Sequence, residues 1–126
     1  MGAFAEEAVR QAAASHGMML DFTAESVARL ETVLAAQSPV TGGDLEWATK
    51  LWGSYFGEVF RHNHPADWVM SVYPGSEMKM PALDVQGSQL YPLLKVQRRL
   101  TMGPAEDLPT FYSKVSAALK ARMKAN

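Results

Sequence analysis

Three side chains near the middle of the chain have the chemistry of metal ligands: Glu58, His62 and His64. Carboxylate and imidazole groups are first-choice ligands for zinc and related ions. If this segment is helical, Glu58 and His62 are four residues apart and share one face. A zinc-protease signature needs two histidines four residues apart with a glutamate beside the first, and that pattern is absent. We therefore interpret His62 and His64 as a pair of solvated histidines at a helix end, and the alternative is that both are metal ligands.

Glu58 is a candidate functional residue because it lies in an otherwise apolar segment. A buried carboxylate needs a cation or several hydrogen-bond donors. Arg61, Arg98 and Arg99 are the candidate partners. We interpret Glu58 as half of a structural ion pair, and the alternative is a binding or catalytic acid. A single titratable group is not a mechanism.

No catalytic signature is visible in the 126 residues. The sequence has no Gly-x-Ser-x-Gly elbow, no phosphate loop and no dinucleotide fingerprint. It also has no cysteine, which excludes a thiol nucleophile and a disulfide framework and favours a reducing compartment. We therefore expect a protein that is not an enzyme and that carries no cofactor.

Aromatic and methionine side chains are the candidates for a contact surface. Methionines 70, 78 and 80 surround a loop with proline and glycine, and methionine adapts to irregular partners. Aromatic residues are enriched at interfaces, although core filling is the competing interpretation for both types. The full set of candidate binding residues is Glu58, Arg61, Trp68, Met78, Met80, Arg98 and Arg99.

The element that must position these residues is a helix with two glycines one turn apart, Gly53 and Gly57. Each costs about 1 kcal/mol relative to alanine inside a helix. The simplest explanation is that another part of the chain packs closely against them. Apolar residues cover most of the circumference of this helix, which we predict from a cap at Asp44 to Asn63. We expect it to form the centre of the molecule.

Four further helices and a small sheet are predicted around this central helix. The sheet combines a strand over Trp68 to Tyr73 with a hairpin of residues 83–85 and 89–91. Glu31 is expected to face water, as are Lys95, Arg98 and Arg99. The predicted helices are residues 3–16, a helix capped by Asp21 or Thr23 and ending near Gln37, Pro92 to Met102, and a final helix from Asp107. The prediction is an α+β fold, with about five helices on a small antiparallel sheet of two to three strands.

Length and composition indicate one soluble domain spanning residues 1–126, with 48% hydrophobic and 20% charged residues. The acidic start of the chain and the absence of a long apolar run argue against an export signal and a membrane span. A net charge of −1 and an isoelectric point of about 6.3 make nucleic-acid binding unlikely. The residues that would carry such binding are Lys95, Arg98, Arg99, Lys114 and Lys120.

Three segments resemble a family of small bacterial proteins known as a domain of unknown function. They are LDFTAESVARLETVL at 20–34, WGSYFGEVF at 52–60 and LYPLLKVQRRLTMG at 90–103, and the W-G-x-Y-F-G-E-V helix motif is the most specific part. The resemblance covers about residues 20–112 and implies an α+β domain without an assigned activity, substrate or cofactor. It further implies a linked set of residues: Gly53, Gly57, Glu58, Trp68, Pro92 and Arg99.

The leading functional hypothesis is a noncatalytic interaction module, an adaptor or immunity-like partner of another protein in a bacterial cytoplasm. We expect a monomer or small homo-oligomer. The alternative is a small-molecule or metal-binding protein, with Glu58, His62 and His64 at its site, that can also be an enzyme. Nucleic-acid binding is the third hypothesis.

Overall fold

The computed structural model describes residues 2–125, with side chains described for residues 2–122. Within this range the chain forms five α-helices and three strands, and the predicted α+β fold is confirmed. The helices are α1 (Gly2–His16), α2 (Ser26–Gln37), α3 (Gly42–Asn63), α4 (Pro92–Met102) and α5 (Leu108–Ala125), with a 3-10 turn at Pro104–Glu106. The strands are β1 (Asp67–Val72), β2 (Lys79–Val85) and β3 (Ser88–Leu90). None of the described helices has the length and apolar character needed to cross a bilayer.

Helix α3 is the central element, as its apolar circumference predicts. Ten consecutive residues, from Leu51 to Phe60, are buried. Helices α1 and α4 make the most extensive contacts with α3, and its aromatic side chains continue into the core formed with α2 and α5. The helix begins at Gly42, three residues earlier than a cap at Asp44 predicts, because Thr41 is the residue with extended backbone and Asp44 lies inside the first turn. There the carboxylate of Asp44 still complements the helix dipole.

The two glycines of α3 mark close approaches, which confirms the prediction made from their spacing. A Cβ atom on Gly53 would lie 2.7 Å from the Cα atom of Leu93 in α4. A Cβ atom on Gly57 would lie 2.2 Å from the ring of Trp68 and 3.3 Å from Cγ of Pro92. Both distances to the nearest atom are shorter than carbon atoms tolerate. Helix α4 and strand β1 therefore occupy space that any other residue type at these two positions would fill.

The sheet is antiparallel with strand order β1-β2-β3. Trp68, Leu83 and Leu90 are aligned across the three strands and so share one face. Strand β2 begins at Lys79, four residues earlier than predicted, and Pro81 made that extension hard to foresee because proline cannot complete a ladder. It is tolerated because β3 pairs only with residues 83–85, so Pro81 lies where β2 has a single neighbour.

Local polar side chains define the starts of α2 and α5. Asp21 Oδ1 accepts hydrogen bonds from the backbone N–H and the hydroxyl of Thr23, and Thr23 Oγ1 accepts from the N–H of Ser26 at 3.2 Å. These bonds form a turn before α2, which begins at Ser26. Asp107 Oδ2 accepts from the N–H of Thr110 at 2.9 Å and caps α5, which begins where the sequence predicts.

The expectation that Glu31 and Arg99 face water is wrong. Arg99 is 2% exposed, and its Nε donates to Glu31 Oε2 at 2.6 Å. The other carboxylate oxygen of Glu31 accepts from the N–H of Leu108, at the first turn of α5, at 3.1 Å. One carboxylate therefore joins α2 to both α4 and α5. Lys95 is also mostly buried, because its Nζ donates to Glu106 at 2.6 Å and lies 5.3 Å from the centre of the Phe111 ring.

Gly53→Ala tests the close approach of α3 and α4. The new methyl group would overlap backbone atoms of Leu93, so we expect the free energy of unfolding to fall by about 1–3 kcal/mol. Urea denaturation with fluorescence detection measures it. Gly43→Ala is the matched control, because it lies in the same helix with nothing within 4 Å of its Cβ position. Equal urea midpoints for the two variants would contradict the packing described here.

Candidate functional site

The three candidate metal ligands at the end of α3 do not converge. Glu58 is buried, and both of its oxygens accept from Nη1 of Arg61, at 3.1 and 3.0 Å. The predicted ion pair is thus confirmed, with Arg61 as the partner. Among the described side chains, no three His, Cys, Asp or Glu residues lie close enough to hold a metal ion.

His62 and His64 have separate environments. The exposed ring of His62 stacks on Phe22, with centroids 4.4 Å apart and an angle of 9° between the rings. Phe22 has a φ of 63°, and its N–H donates to the hydroxyl of Tyr55 at 2.9 Å. His62 thus covers a strained aromatic residue. His64 is buried and lies in the contact between α3 and α5, so the interpretation of both histidines as solvated is wrong for His64.

The two candidate arginines of α4, Arg98 and Arg99, also lie in different environments. Arg99 belongs to the buried Glu31 pair, and its Nη1 has no hydrogen-bond partner among the described residues. Arg98 is exposed and donates to the hydroxyl of Tyr73 at 3.2 Å. The ring of Tyr73 meets that of Tyr91 edge to face, at 4.9 Å between centroids. Arg98 thus extends over the end of the sheet, whereas Arg99 serves the helical core.

Trp68 is a packing residue at the junction of the sheet and α3. Its ring lies over Gly57, and its indole N–H is buried without an acceptor in the described part of the chain. An unmade hydrogen bond of this kind costs about 1–3 kcal/mol. The ring is held there by its packing against α3.

Met78 and Met80 lie at an apolar groove with a volume of ≈ 430 Å³. Its walls come from the start of α3, from α4 and from β2. Met78 is 70% exposed and Met80 is half-buried. The residues that give the groove its apolar character are Leu45, Met78, Met80, Leu93 and Leu94.

A second cavity, with a volume of ≈ 560 Å³, lies between the start of α2, the end of α3 and α5. His64 and Ser116 line it, and the Nε2 atom of His64 lies 3.0 Å from the hydroxyl oxygen of Ser116. Both residues are buried, as is Tyr112 one turn before Ser116. This cluster is not visible as a motif in the sequence, because 52 residues separate His64 from Ser116. The only available signal was the four-residue spacing of Tyr112, Ser116 and Lys120 on α5.

The electrostatics of the His64 cavity keep its imidazole neutral near pH 7. Burial, and then the positive charge of Lys120, lower the pKa of His64 below its usual 6.5. Burial raises the pKa of the Tyr112 phenol, a hydrogen bond with Ser116 opposes that rise, and the charge of Glu25 adds to it. The cavity therefore presents a neutral imidazole and two neutral hydroxyls, with an acidic and a basic side chain at its rim.

Glu31→Ala tests the buried link between α2, α4 and α5. It would leave Arg99 as an uncompensated buried cation, so we expect the free energy of unfolding to fall by about 3–5 kcal/mol. Glu46→Ala is the control, because it breaks an exposed pair with Lys50 and is expected to cost about 0–1 kcal/mol. Chemical denaturation measures both, and equal losses would show that the Glu31 pair is no stronger than a surface pair.

His64→Gln tests the environment of the imidazole. Because the folded state lowers the pKa of His64, the unfolded state binds more protons below pH 6.5, and stability is lost as the pH falls from 6.5 through the folded pKa. Above pH 6.5 the contribution is constant. We expect His64→Gln to flatten the dependence of the urea midpoint on pH in this window. A wild-type slope in His64→Gln would contradict the assignment.

No protein-family model, no curated protein and no solved structure matches this chain. The resemblance of residues 20–112 to a family of unknown function stays a prediction. Two features of the structure are candidates for function, namely the sheet with its methionine groove and the His64 cavity.

Proposed function

We propose that this protein is a noncatalytic interaction module of the bacterial cytoplasm, an adaptor or immunity-like protein that binds an extended segment of another protein along β1. The observation that carries the proposal is the free edge of the sheet. Strand β1 is hydrogen-bonded to β2 on one side, and no described strand pairs with its other side. Backbone N–H and C=O groups on a free edge form a template for a further strand.

The edge of β1 lacks the features that usually prevent such pairing. Natural edge strands carry lysine, proline or a bulge. The sequence DWVMSV contains neither lysine nor proline. Its register with β2 is continuous from Asp67 to Val72, so the strand has no bulge. Its single charge, Asp67, is at the first position. Met70 and Val72 are 63% and 46% exposed, so the strand also offers apolar side chains.

The methionine groove lies near one end of this edge strand, on the β2 side. Val72 pairs with Lys79, and Ser71 pairs with Met80, so the groove lies at the turn end of the β1–β2 hairpin. Methionine side chains adapt their shape to an occupant at little cost. We therefore expect an added strand to form backbone hydrogen bonds with β1, and a part of the partner that continues past Val72 to place an apolar side chain in the groove. The predicted contact residues Met78 and Met80 acquire a role in this arrangement.

The chemistry of the β1 edge indicates which kind of segment can bind to it. Main-chain hydrogen bonds select an extended backbone, and alternate side chains supply specificity. Opposite Met70 and Val72 we expect apolar residues, since a charged side chain would be desolvated without a counter-charge. The partner segment is therefore an extended, alternately apolar stretch of another protein. A second copy of this chain on the same edge is the competing occupant.

The double variant Met70→Lys, Val72→Lys tests this proposal. The lysines should abolish strand addition without unfolding the protein, because both positions are exposed and natural edges carry lysine. A partner captured by the wild-type chain from the source organism is purified and mixed again with each variant. We expect binding to be lost in the double variant, and the amides of β1 to become protected from hydrogen exchange in the wild-type complex.

Met19→Lys and Met102→Lys are the controls, because these methionines are 73% and 67% exposed and lie outside the sheet. They should bind as the wild type does. Equal binding by the double variant, or unprotected β1 amides in the complex, would refute the proposal. A wild-type dimer that the double variant dissociates would assign the edge to a second copy of the chain.

A further inference from the structure

Another cavity lies beside the first turns of α3, and none of the residues that line it belongs to the sheet. Its volume is ≈ 400 Å³, which falls within the range of small-molecule sites, about 300–1,000 Å³. The walls come from α1, from the end of α2, from the connection between α2 and α3, and from α3 itself. A ligand in this cavity would therefore bind separately from a strand added to β1.

Trp47 is the aromatic residue of this cavity that a ligand can reach. It is 48% exposed, whereas Trp52, which also lines the cavity, is 1% exposed. The rings of Trp47 and Phe4 meet edge to face, with 5.8 Å between their centroids, so Trp47 is packed against α1. The face of an indole ring attracts a cation more strongly than that of any other aromatic side chain. The exposed part of Trp47 can therefore contact a cationic group.

Asp44 supplies a carboxylate beside this ring. It precedes Trp47 by three positions in α3, so the two side chains are neighbours on one face of the helix. Side chains with this spacing have Cβ atoms about 5–6 Å apart. One ammonium group can therefore contact both the ring and the carboxylate. Asp44 is exposed and forms no ion pair with another side chain among residues 2–122.

The charge of the cavity favours a cation over an anion. Among the described residues that line it, Asp44 is the only one of a charged type. The dipole of α3 adds about half a positive charge at the first turn, which leaves the site with a net negative charge. The basic residue that follows Trp47 in α3 is Lys50, which pairs with Glu46 at 3.3 Å and does not line the cavity.

The remaining walls favour a methylated ammonium group over a primary one. Pro39 and Val40 contribute apolar side chains. The carboxamide of Gln37 is already bonded, because its oxygen accepts from Nε1 of Trp52 at 3.2 Å and its nitrogen lies 3.1 Å from Nε2 of His16. Methyl groups can pack against such walls, whereas the three N–H donors of a primary ammonium group would lose water there.

We propose that this cavity binds a quaternary ammonium group, of the kind that choline carries, over the ring of Trp47 and beside the carboxylate of Asp44. Aromatic side chains recognise such cations without hydrogen bonds. The carboxylate supplies the opposite charge, and the methyl groups of the ligand contact Pro39 and Val40. The site is independent of the proposed strand addition, because the two surfaces share no residue.

An NMR titration of the ¹⁵N-labelled protein with choline chloride tests the proposal, at an ionic strength held constant with sodium chloride. We expect a saturable shift of the indole N–H signal of Trp47 in the millimolar range, and no shift of the Trp68 signal. The neutral isostere 3,3-dimethylbutanol has the same shape without the charge. It should bind about tenfold more weakly, because it lacks both the cation–π attraction and the attraction to the carboxylate. Ethanolamine, a primary ammonium ion, should also bind more weakly than choline.

Variants assign the two contacts, with the dissociation constant taken from the backbone amide shifts of residues 40 and 41. Trp47→Leu should weaken choline binding about fivefold, and Trp47→Phe should weaken it less because a ring face remains. Asp44→Asn should weaken it about threefold. Circular dichroism should show all three folded, because both residues are exposed.

Glu6→Gln is the matched control for the charge. Glu6 is exposed, forms no ion pair among residues 2–122 and does not line the cavity, so this variant should bind choline as the wild type does. Equal binding of choline and 3,3-dimethylbutanol, or equal weakening by Glu6→Gln and Asp44→Asn, would overturn the proposal. The absence of a saturable choline shift, or an affinity for ethanolamine as high as that for choline, would overturn it as well.

Discussion

The close approach of α4 and Trp68 to the glycines of α3 is the constraint on which the rest of the structure depends. Without side chains at Gly53 and Gly57, α3 admits the backbone of α4 on one turn and an indole ring on the next. The two glycines cost about 1 kcal/mol each in helix propensity, and the packing that they permit offsets this loss. The position of the sheet follows, because Trp68 belongs to β1 and its ring lies against α3.

A second constraint acts on the helices that the glycines do not reach. The carboxylate of Glu31 bonds Arg99 in α4 and the first turn of α5. A buried pair of this kind adds little net stability, since desolvation of the two charges opposes their attraction. Its value here is geometric, because it fixes the spacing of α2 and α5. Those two helices form two of the walls of the His64 cavity, so the pair also helps to fix the distance between these walls.

The elements of this fold could largely be predicted, because helical periodicity and turn residues are local signals. The role of Gly57 was predictable as well, since two glycines one turn apart cost too much to occur without a packing reason. The contacts between residues of different elements could not be predicted. Glu31 carries a charge of the kind usually found on the exposed face of a helix, and only the fold shows that Arg99, 68 residues away, lies beside it. The extent of β2 was also hidden, because the tolerance of Pro81 depends on where β3 ends.

The same limit explains why the sequence indicated the sheet surface more clearly than the cavity. A cluster of methionines beside a loop is a local pattern, and the exposure of Met70 and Met78 agrees with it. The cavity combines residues from three helices, and its one local trace is the spacing of Tyr112, Ser116 and Lys120. In sequence that spacing looks like an ordinary amphipathic helix. The spacing can be recognised as part of a site only in the folded chain. There the buried imidazole of His64 contacts Ser116, which shows that this face of α5 lines the cavity. A site assembled across elements therefore has to be identified from coordinates, whereas a cluster of methionines beside a loop is visible in the sequence.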